Sequence, residues 1–432
     1  MRTVSGAAGG ERRGGCEVAG TNATGANGGG GGGAAGGLVT GAVGGVNLLA
    51  LRSHNAALLL DLLRRSGGAG ISRLELAERT GLTPQAVSKI TARLREDGLV
   101  TEAGRRASTG GKPRTALRLV PEAGHAVGLH LDRDELRAVL VDLTGTVVAE
   151  RRAGLDLGAG AEAVLGVVVR EVRAVTEGLL VSGPGSDGPG REAGGSLAGE
   201  SAVAAGSAGS AGSAVLGVGV AMPGPLDHTH GVLHRVTGFP EWDGFPLRDA
   251  LARRLDVPVV LDKDTNAAAL GLAVGGEAGA FAYLHLGTGL GAGLVLGGAV
   301  HHGARTGAGE FGHQVIQLDG PPCPCGNRGC VEALCLAAVA RGDVDEAARV
   351  LGEGAANLVG LLDIDLVLLG GRTVAAEPER FVRGVGVVLD ARARREGGSS
   401  PVPVRVASGG VRGVAEGAAQ LLLAPLFGRA QG

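Results

Sequence analysis

Histidine and cysteine are the side chains of this sequence best able to act in concert, and four of them crowd one short stretch. From Thr306 to Leu334 the chain reads T-G-A-G-E-F-G-H-Q-V-I-Q-L-D-G-P-P-C-P-C-G-N-R-G-C-V-E-A-L, which places His313, Cys323, Cys325 and Cys330 within eighteen residues. Imidazole and thiolate donors at this density, with Gly326 and Gly329 allowing tight turns between them, suit a tetrahedral Cys₃His zinc site. Three of the five cysteines are here. Three thiols cannot pair off among themselves, and no signal-peptide pattern points to an oxidising compartment, so a structural Zn²⁺ is expected rather than disulfides. Glu310 and Glu332 bracket the loop. They are either solvated surface carboxylates or acceptors for the hydroxyl groups of a polyhydroxy ligand.

The run A-G-E-x-G-H followed by C-x-C-G-x-x-G-C-x-E resembles the ROK family of sugar kinases and transcriptional repressors. The resemblance implies that Glu310 and Glu332 bind sugar and that the zinc histidine stands at the sugar site, with one ring nitrogen of His313 on the metal.

Further elements must bring other groups to this loop. V-P-V-V-L-D-K-D-T-N-A-A-A-L reads as a buried strand that delivers Asp264 and Asn266 to its C-terminal end, just before a helix, where ligand sites of α/β sheets lie. Taken alone, Asp264 is either a helix cap or a ligand-facing carboxylate. ROK proteins carry N-D-x-N here, their Asp being the catalytic base of the kinases, so the resemblance implies sugar contacts from Asp264 and Asn266. Lys263 departs from it, standing where an asparagine is usual. Glycines in L-G-T-G-L-G-A-G, Leu286 to Gly293, would let backbone amides line an anion site. D-I-D-L-V-L-L-G-G ends in Gly370 and Gly371, where the family closes over nucleotide.

Ahead of these, strands are expected at Val127–Leu131, Leu136–Asp142 and Val147–Glu150, then a helix over about Ala161–Leu180. A strand resumes at Val215. A last strand, V-P-V-R-V, and a helix from about Gly413 to Leu423 finish the second lobe.

The N-terminal part carries different signals. A first helix puts Asn55, Leu58, Leu59, Leu62 and Leu63 on one face and stops at Gly67-Gly68. Ser72 and Glu75 form a capping box, Gly81 ends that helix, and Thr83 caps a third helix with Pro84 in its first turn. The third helix hides Val87, Ile90 and Leu94 and exposes Gln85, Ser88, Lys89 and Arg93, which is a helix-turn-helix pattern. A two-stranded wing follows, bearing Arg105, Arg106, Lys112 and Arg114. Residues 46–120 hold thirteen Lys and Arg against six Asp and Glu, a net of +7 in a chain of net −2. That concentration of positive charge is the footprint of a double-stranded DNA contact surface, and the segment resembles the winged domain of ROK-type repressors.

Composition sets the outer limits. The 432 residues, 44% of them hydrophobic, leave room for two or three domains. Glycine accounts for 83 residues and aromatics for 2%, so part of the length is low-complexity. The expected organisation is a disordered Gly-rich tail at 1–45, containing a free Cys16; a winged helix-turn-helix DNA-binding domain at 46–120; and a ROK-type sugar-binding domain at 121–428, interrupted by a low-complexity insertion at 182–214. The expected fold class is α/β, and the resemblance implies a winged helix followed by a two-lobed actin-like sensor domain of the ribonuclease H-like, hexokinase-type ATPase fold. No apolar run nears the roughly 20 residues of a membrane span, so a cytoplasmic protein is expected.

The stretch V-G-L-H-L-D-R-D-E-L-R-A separates two functional classes. ROK kinases carry an Asp-x-Gly-Gly-Thr turn there that cradles ATP phosphates, whereas this chain has His130, Asp132, Arg133 and Asp134, with two carboxylates turned toward any polyphosphate. The expectation is a non-enzymatic transcriptional regulator, a repressor of carbohydrate-metabolism genes with xylose among the sugars in view. It would bind operator DNA as a homodimer or dimer of dimers, sense a sugar or sugar phosphate, and keep Asp264 as a vestigial base. The alternative is a glucokinase-like ATP-dependent sugar kinase with an added DNA-binding domain.

Overall fold

Local capping sets the first helices. The structure, a computed structural model, describes residues 54–106, 114–181, 214–236, 238–397 and 400–429. The tail at 1–45 with Cys16, the wing tip with Lys112, and the insertion at 182–214 apart from Ala214 lie outside these residues. Helix α1 is His54–Ser66, β1 Ile71–Ser72, α2 Arg73–Thr80, α3 Pro84–Glu96, β2 Val100–Arg106 and β3 Arg114–Leu119. The capping box forms as expected: the Ser72 hydroxyl accepts from the Glu75 amide at 3.3 Å, and the Glu75 carboxylate accepts from the Ser72 amide at 2.8 Å. Gly81 ends α2 in the left-handed region at φ 70°. Thr83 then accepts from the Ala86 amide at 3.2 Å to open α3. The sheet runs β1-β3-β2.

The buried stripe of α1 differs from the sequence expectation. Ala56, Leu59, Leu60 and Leu63 are buried, Leu58 and Leu62 are half-buried, and Asn55 is exposed. The helix is rotated because it packs against both β3 and the C-terminal turn Ala424–Phe427. Leu59 and Leu63 share one apolar cluster with Ala415, Ala419, Leu423 and Phe427, so the winged element is joined to the rest of the molecule by core packing. Arg64 stacks 4.5 Å over the Phe427 ring, and Arg429 reaches to 3.7 Å from Asp61.

The remainder builds two lobes on a common plan. The first has β4 Gly124–Leu131, β5 Glu135–Asp142, β6 Val147–Gly154, α4 Ala161–Val181, β7 Ala214–Met222, β8 Leu226–Asp227, β9 Val232–Leu233, α5 Leu247–Leu255 and β10 Val259–Lys263. Helix α6, Asp264–Gly275, leads to the second, with β11 Phe281–Leu286, β12 Leu290–Leu296, β13 Ala299–Val300, α7 Val331–Ala340, α8 Val344–Leu362, β14 Leu366–Gly370, α9 Arg372–Ala376, α10 Pro378–Arg395 and β15 Val404–Val406. The large sheets are ordered β10-β7-β4-β5-β6 and β13-β12-β11-β14-β15. Each has antiparallel hairpin strands on one side and parallel strands on the other. Strand β6 is longer than expected because it pairs with β5 from Val147 through Gly154.

A final helix, α11 at Gly413–Leu423, returns to the first lobe and lies on β4, β7 and α6. The approach is so close that a Cβ at Gly128 would stand 2.0 Å from the Ala415 carbonyl oxygen, so only glycine fits there. Parallel strands covered by helices read as continuous apolar runs, and β4 and β7 are buried along most of their length. Each lobe has its own core, and the C-terminal ends of the β10 and β11 strands face one cleft.

Candidate functional site

The loop after β13 folds into a compact knot. The ligand atoms of His313, Cys323, Cys325 and Cys330 all lie within 4.8 Å of one another. Cys325 and Cys330 sulfurs are 3.7 Å apart, as are the Cys323 sulfur and His313 Nδ1. Bonds of about 2.3 Å to sulfur and about 2.0 Å to nitrogen, set tetrahedrally, give edges of about 3.5–3.8 Å, so the donor set fits a metal ion of that kind. Burial, followed by the neighbouring thiols, pushes the Cys330 thiol up to about 12; clustered sulfurs favour ionisation only around a cation. Gly329 adopts φ 65°, and a Cβ on it would meet the Gln317 carbonyl oxygen at 1.6 Å. Cys335 belongs to the second-lobe core and points its thiol at the Ala347 carbonyl, 3.5 Å away.

One turn away, a cavity of about 70 Å³ opens between the lobes, and its walls include Asp264, Glu310, His313 and Glu332 together with Asp132, Arg133, Lys263 and Thr288. Asp264 stands there because β10 ends at Lys263 and α6 begins at the next residue. Glu332 lies in the first turn of α7, is 5% exposed, and accepts from the Leu290 amide at 2.7 Å. Lys263 is 3% exposed and donates to the Ala308 carbonyl and, at 3.2 Å, to Glu310. Four of the five expected sugar contacts thus converge on one space.

Asn266 does not. It is 1% exposed, and its amide donates to Asp262 at 2.9 Å. Asp262 also accepts from the Lys263 amide at 2.7 Å and meets His302 Nε2 at 2.7 Å. The expected Asn266 contact with sugar is corrected to a buried strut under the β10–α6 junction, because Asp262, four residues earlier and one turn away, claims the side chain.

The β4–β5 turn is closed across the cleft. Asp132 accepts from the Thr288 hydroxyl at 2.7 Å and from the Arg133 amide at 2.8 Å. Arg372, at the start of α9, lies 3.9 Å from Asp132 and donates to Asp134 at 3.0 Å. The two carboxylates, expected to point toward a polyphosphate in the cleft, therefore meet partners on the second lobe there. Burial opposes ionisation of Asp132, yet nearby His130, the Thr288 hydroxyl, the Arg133 amide and Arg372 hold it below the ordinary carboxylate value. Burial lowers His130. It also raises the neighbouring Tyr283 phenol, whose hydroxyl lies 2.9 Å from His285. Sequence reasoning had no signal for Arg372, which is 238 residues from Asp134.

On the winged element, Gln85, Ser88, Lys89 and Arg93 are all exposed on α3, while Val87, Thr91 and Leu94 are buried. Ile90 is half-buried rather than hidden. Arg105, Arg106 and Arg114 are placed by backbone in the β2–β3 hairpin, where Arg106 pairs with Arg114 across the ladder.

Similarity to known proteins agrees with this arrangement. The ROK family pattern matches residues 204–341, and the MarR family pattern matches residues 52–108. The xylose repressor of Bacillus subtilis (strain 168) is 27% identical over 278 residues, 64% of this chain and 63% of that protein. The DNA-binding transcriptional dual regulator NagC of Escherichia coli (strain K12) is 28% identical over 302 residues, 68% of this chain and 64% of that protein. The chain thus spans slightly under two thirds of each. The crystal structure of a ROK family transcriptional regulator described as a homologue of the E. coli MLC protein superposes with a TM-score of 0.66 at 19% identity, covering 87% of this chain and 98% of that one. Residues 204–341 of the two-lobed part thus match the ROK family, and the winged element ahead of them matches the MarR family.

Proposed function

We propose that this chain is a DNA-binding transcriptional regulator, a repressor whose two-lobed domain senses a sugar. The observation that carries the reading is the convergence of Asp264, Glu310, His313 and Glu332 on one interlobe cavity, in a chain that also exposes a polar recognition face on α3. Sugar hydroxyls both donate and accept, and carboxylates beside a rigid loop supply fixed acceptors. The knot at His313, Cys323, Cys325 and Cys330 holds Zn²⁺ in this reading. The ion supplies rigidity: it orders the loop that carries Glu310 and His313 and leads into α7 with Glu332, and no step of chemistry passes through it.

Residues 46–120 bind operator DNA, with Gln85, Ser88, Lys89 and Arg93 entering the major groove and Arg105, Arg106, Lys112 and Arg114 contacting the backbone from the wing. One winged helix covers one half-site, so a homodimer on an inverted repeat is expected. Residues 121–428 form the sensor. The apolar cluster shared by α1, α11 and the turn Ala424–Phe427, with α1 seated on that turn, supplies a mechanical route between the two. Effectors are sought first among xylose and N-acetylglucosamine, after which related repressors are named.

The alternative, an ATP-dependent sugar kinase, keeps one favourable observation, Asp264 in the cleft. Against it stands the β4–β5 turn, where side chains replace glycines and are drawn to Thr288 and Arg372. The test is a DNA-binding titration at fixed salt on the chain's own upstream region, with and without sugars that raise its melting temperature. Glu310→Ala should bind DNA as the wild type does and lose the sugar response. Sugar-dependent ADP release that vanishes in Asp264→Ala would instead establish the kinase.

A further inference from the structure

At the junction between the winged element and the lobes, one carboxylate serves three arginines. Asp61 on α1 lies 2.6 Å from Arg65, 3.7 Å from Arg429 and 3.9 Å from Arg64. Only the contact with Arg65 is a hydrogen-bonding distance. Among the described residues no hydrogen-bond acceptor meets the Arg64 guanidinium, although its side chain is only 9% exposed and one face is covered by the Phe427 ring. Burial lowers this guanidinium from its usual value; Asp61 opposes the shift, and Arg429 and Arg65 add to it. A cation drawn this far out of water calls for an anion it does not have.

Arg64 and Arg65 line a cavity of about 410 Å³, the size of a small-molecule site. It lies between α1, the Thr144–Gly145 turn of the first lobe, and the β14–α9 and β15–α11 junctions of the second. Buried Leu272, Tyr283 and Val374 give it an apolar side. The third charged residue of the wall, Glu416, is its one carboxylate. That group already pairs with Arg412 at 3.2 Å, and burial, opposed by Arg412, holds it above the ordinary carboxylate value. Neither the knot nor the β4–β5 turn contributes to this wall, and none of its residues lines the interlobe cavity.

We propose that this cavity is a second ligand site, for a small amphiphilic anion: a carboxylate or phosphate head on Arg64 and Arg65, and an apolar body against Leu272, Tyr283 and Val374. A planar guanidinium grips either head through two parallel N–H groups. The site is separate from the sugar reading and does not depend on it. Both arginines belong to α1, whereas the apolar side belongs to α6 and the second lobe. An occupant is therefore held by the winged element and by the lobes at once.

The test is calorimetric titration of the full chain at fixed pH and salt with octanoate beside octanol, phenyl phosphate beside phenol, and inorganic phosphate alone. At least one organic anion should bind tenfold or more tighter than its neutral counterpart, and which anion leads separates carboxylate from phosphate. Arg64→Met keeps an apolar stem on Phe427 and removes the charge, so it should cut the preference below threefold. Gly275→Phe fills the wall at a position where a Cβ meets nothing within 4 Å. It should weaken the anion tenfold or more, and it carries the test if Arg64→Met melts below the wild type. Binding by neither organic anion would overturn the inference, as would a preference unchanged in Arg64→Met or an affinity unchanged in Gly275→Phe. Inorganic phosphate binding as tightly as phenyl phosphate would overturn it too, because the apolar side would then contribute nothing.

Discussion

The four-donor knot and the clasp of Asp132 and Asp134 on Thr288 and Arg372 border the same cleft, yet they are assembled over very different lengths of chain. The knot draws its donors from eighteen residues, with glycines at the turns. The clasp joins groups 156 and 238 residues apart. Short loops cost little entropy to close and their spacing is visible in the sequence, whereas a contact between lobes exists only once two sheets and the helices between them are in place. The knot also concentrates sulfurs in one spot, with Cys323 and Cys330 buried, while the clasp is half exposed, with Arg372 at 44% and Asp134 at 59% side-chain accessibility. The first should therefore dominate stability and the second should act mainly on how the cleft opens.

The largest effect expected is at the knot. Cys325→Ser should abolish stoichiometric metal binding and lower stability by on the order of 3 kcal/mol or more, since a structural zinc site contributes its binding free energy, about 10–16 kcal/mol in isolated fingers, to folding. Metal analysis and thermal melts measure it. Wild type without about one metal per chain would remove the contrast altogether.

Next in size is a function carried by neither region. Lys89→Ala on the exposed face of α3 should weaken operator binding by about 1–3 kcal/mol and relax sequence preference at the base it reads, with sugar affinity unchanged. Equal loss of sugar affinity would mean that α3 is coupled to the cleft more tightly than packing through α1 and α11 implies.

Legibility followed the same division. The capping box of Ser72 and Glu75, the stop at Gly81 and the Thr83–Pro84 start are signals contained within a turn or two, and each appears where expected. The convergence of Glu310, His313 and Glu332 was likewise legible because one short stretch, the loop and the first turn of α7, carries all three. Reading failed where distant neighbours decide. The buried stripe of α1 is set by Ala424–Phe427, more than three hundred residues later in the sequence, so periodicity alone misplaced it by part of a turn. Asn266 was misassigned because Asp262 reads equally well as an ordinary strand residue, and its buried links to Lys263, Asn266 and His302 have no pattern in the chain.

A smaller effect tests the clasp through pH. Asp132 ionises below its ordinary value of 3.8 in the folded chain. A depressed carboxylate adds stability that is fully present above its unfolded pKa, near 4, and is lost as pH falls through its folded value. Asp132→Asn should therefore melt below the wild type by an amount that is constant between pH 7 and 5, and the difference should shrink below about pH 4. A difference that persists to the lowest pH at which the chain folds would mean that packing, not ionisation, makes Asp132 matter.

The smallest effect is the pair Asp134 and Arg372. Their contact of 3.0 Å is short, and the Asp134 carboxylate holds the Arg372 guanidinium above its usual value. Both side chains nevertheless reach water, and holding two mobile groups together offsets most of the Coulomb attraction. A double-mutant cycle with Asp134→Ala and Arg372→Ala should give a coupling of only about 0.2–1 kcal/mol, shrinking toward zero in 1 M salt, where screening acts within about 3 Å. Its functional consequence should exceed its energetic one, because a weak bridge across a cleft is broken at little cost when a ligand enters. Arg372→Ala should therefore leave the melting temperature nearly unchanged and speed the association of whichever sugar stabilises the protein, measured by stopped-flow. A coupling above about 2 kcal/mol would place the clasp in the same class as the knot, and the two regions would no longer differ in kind.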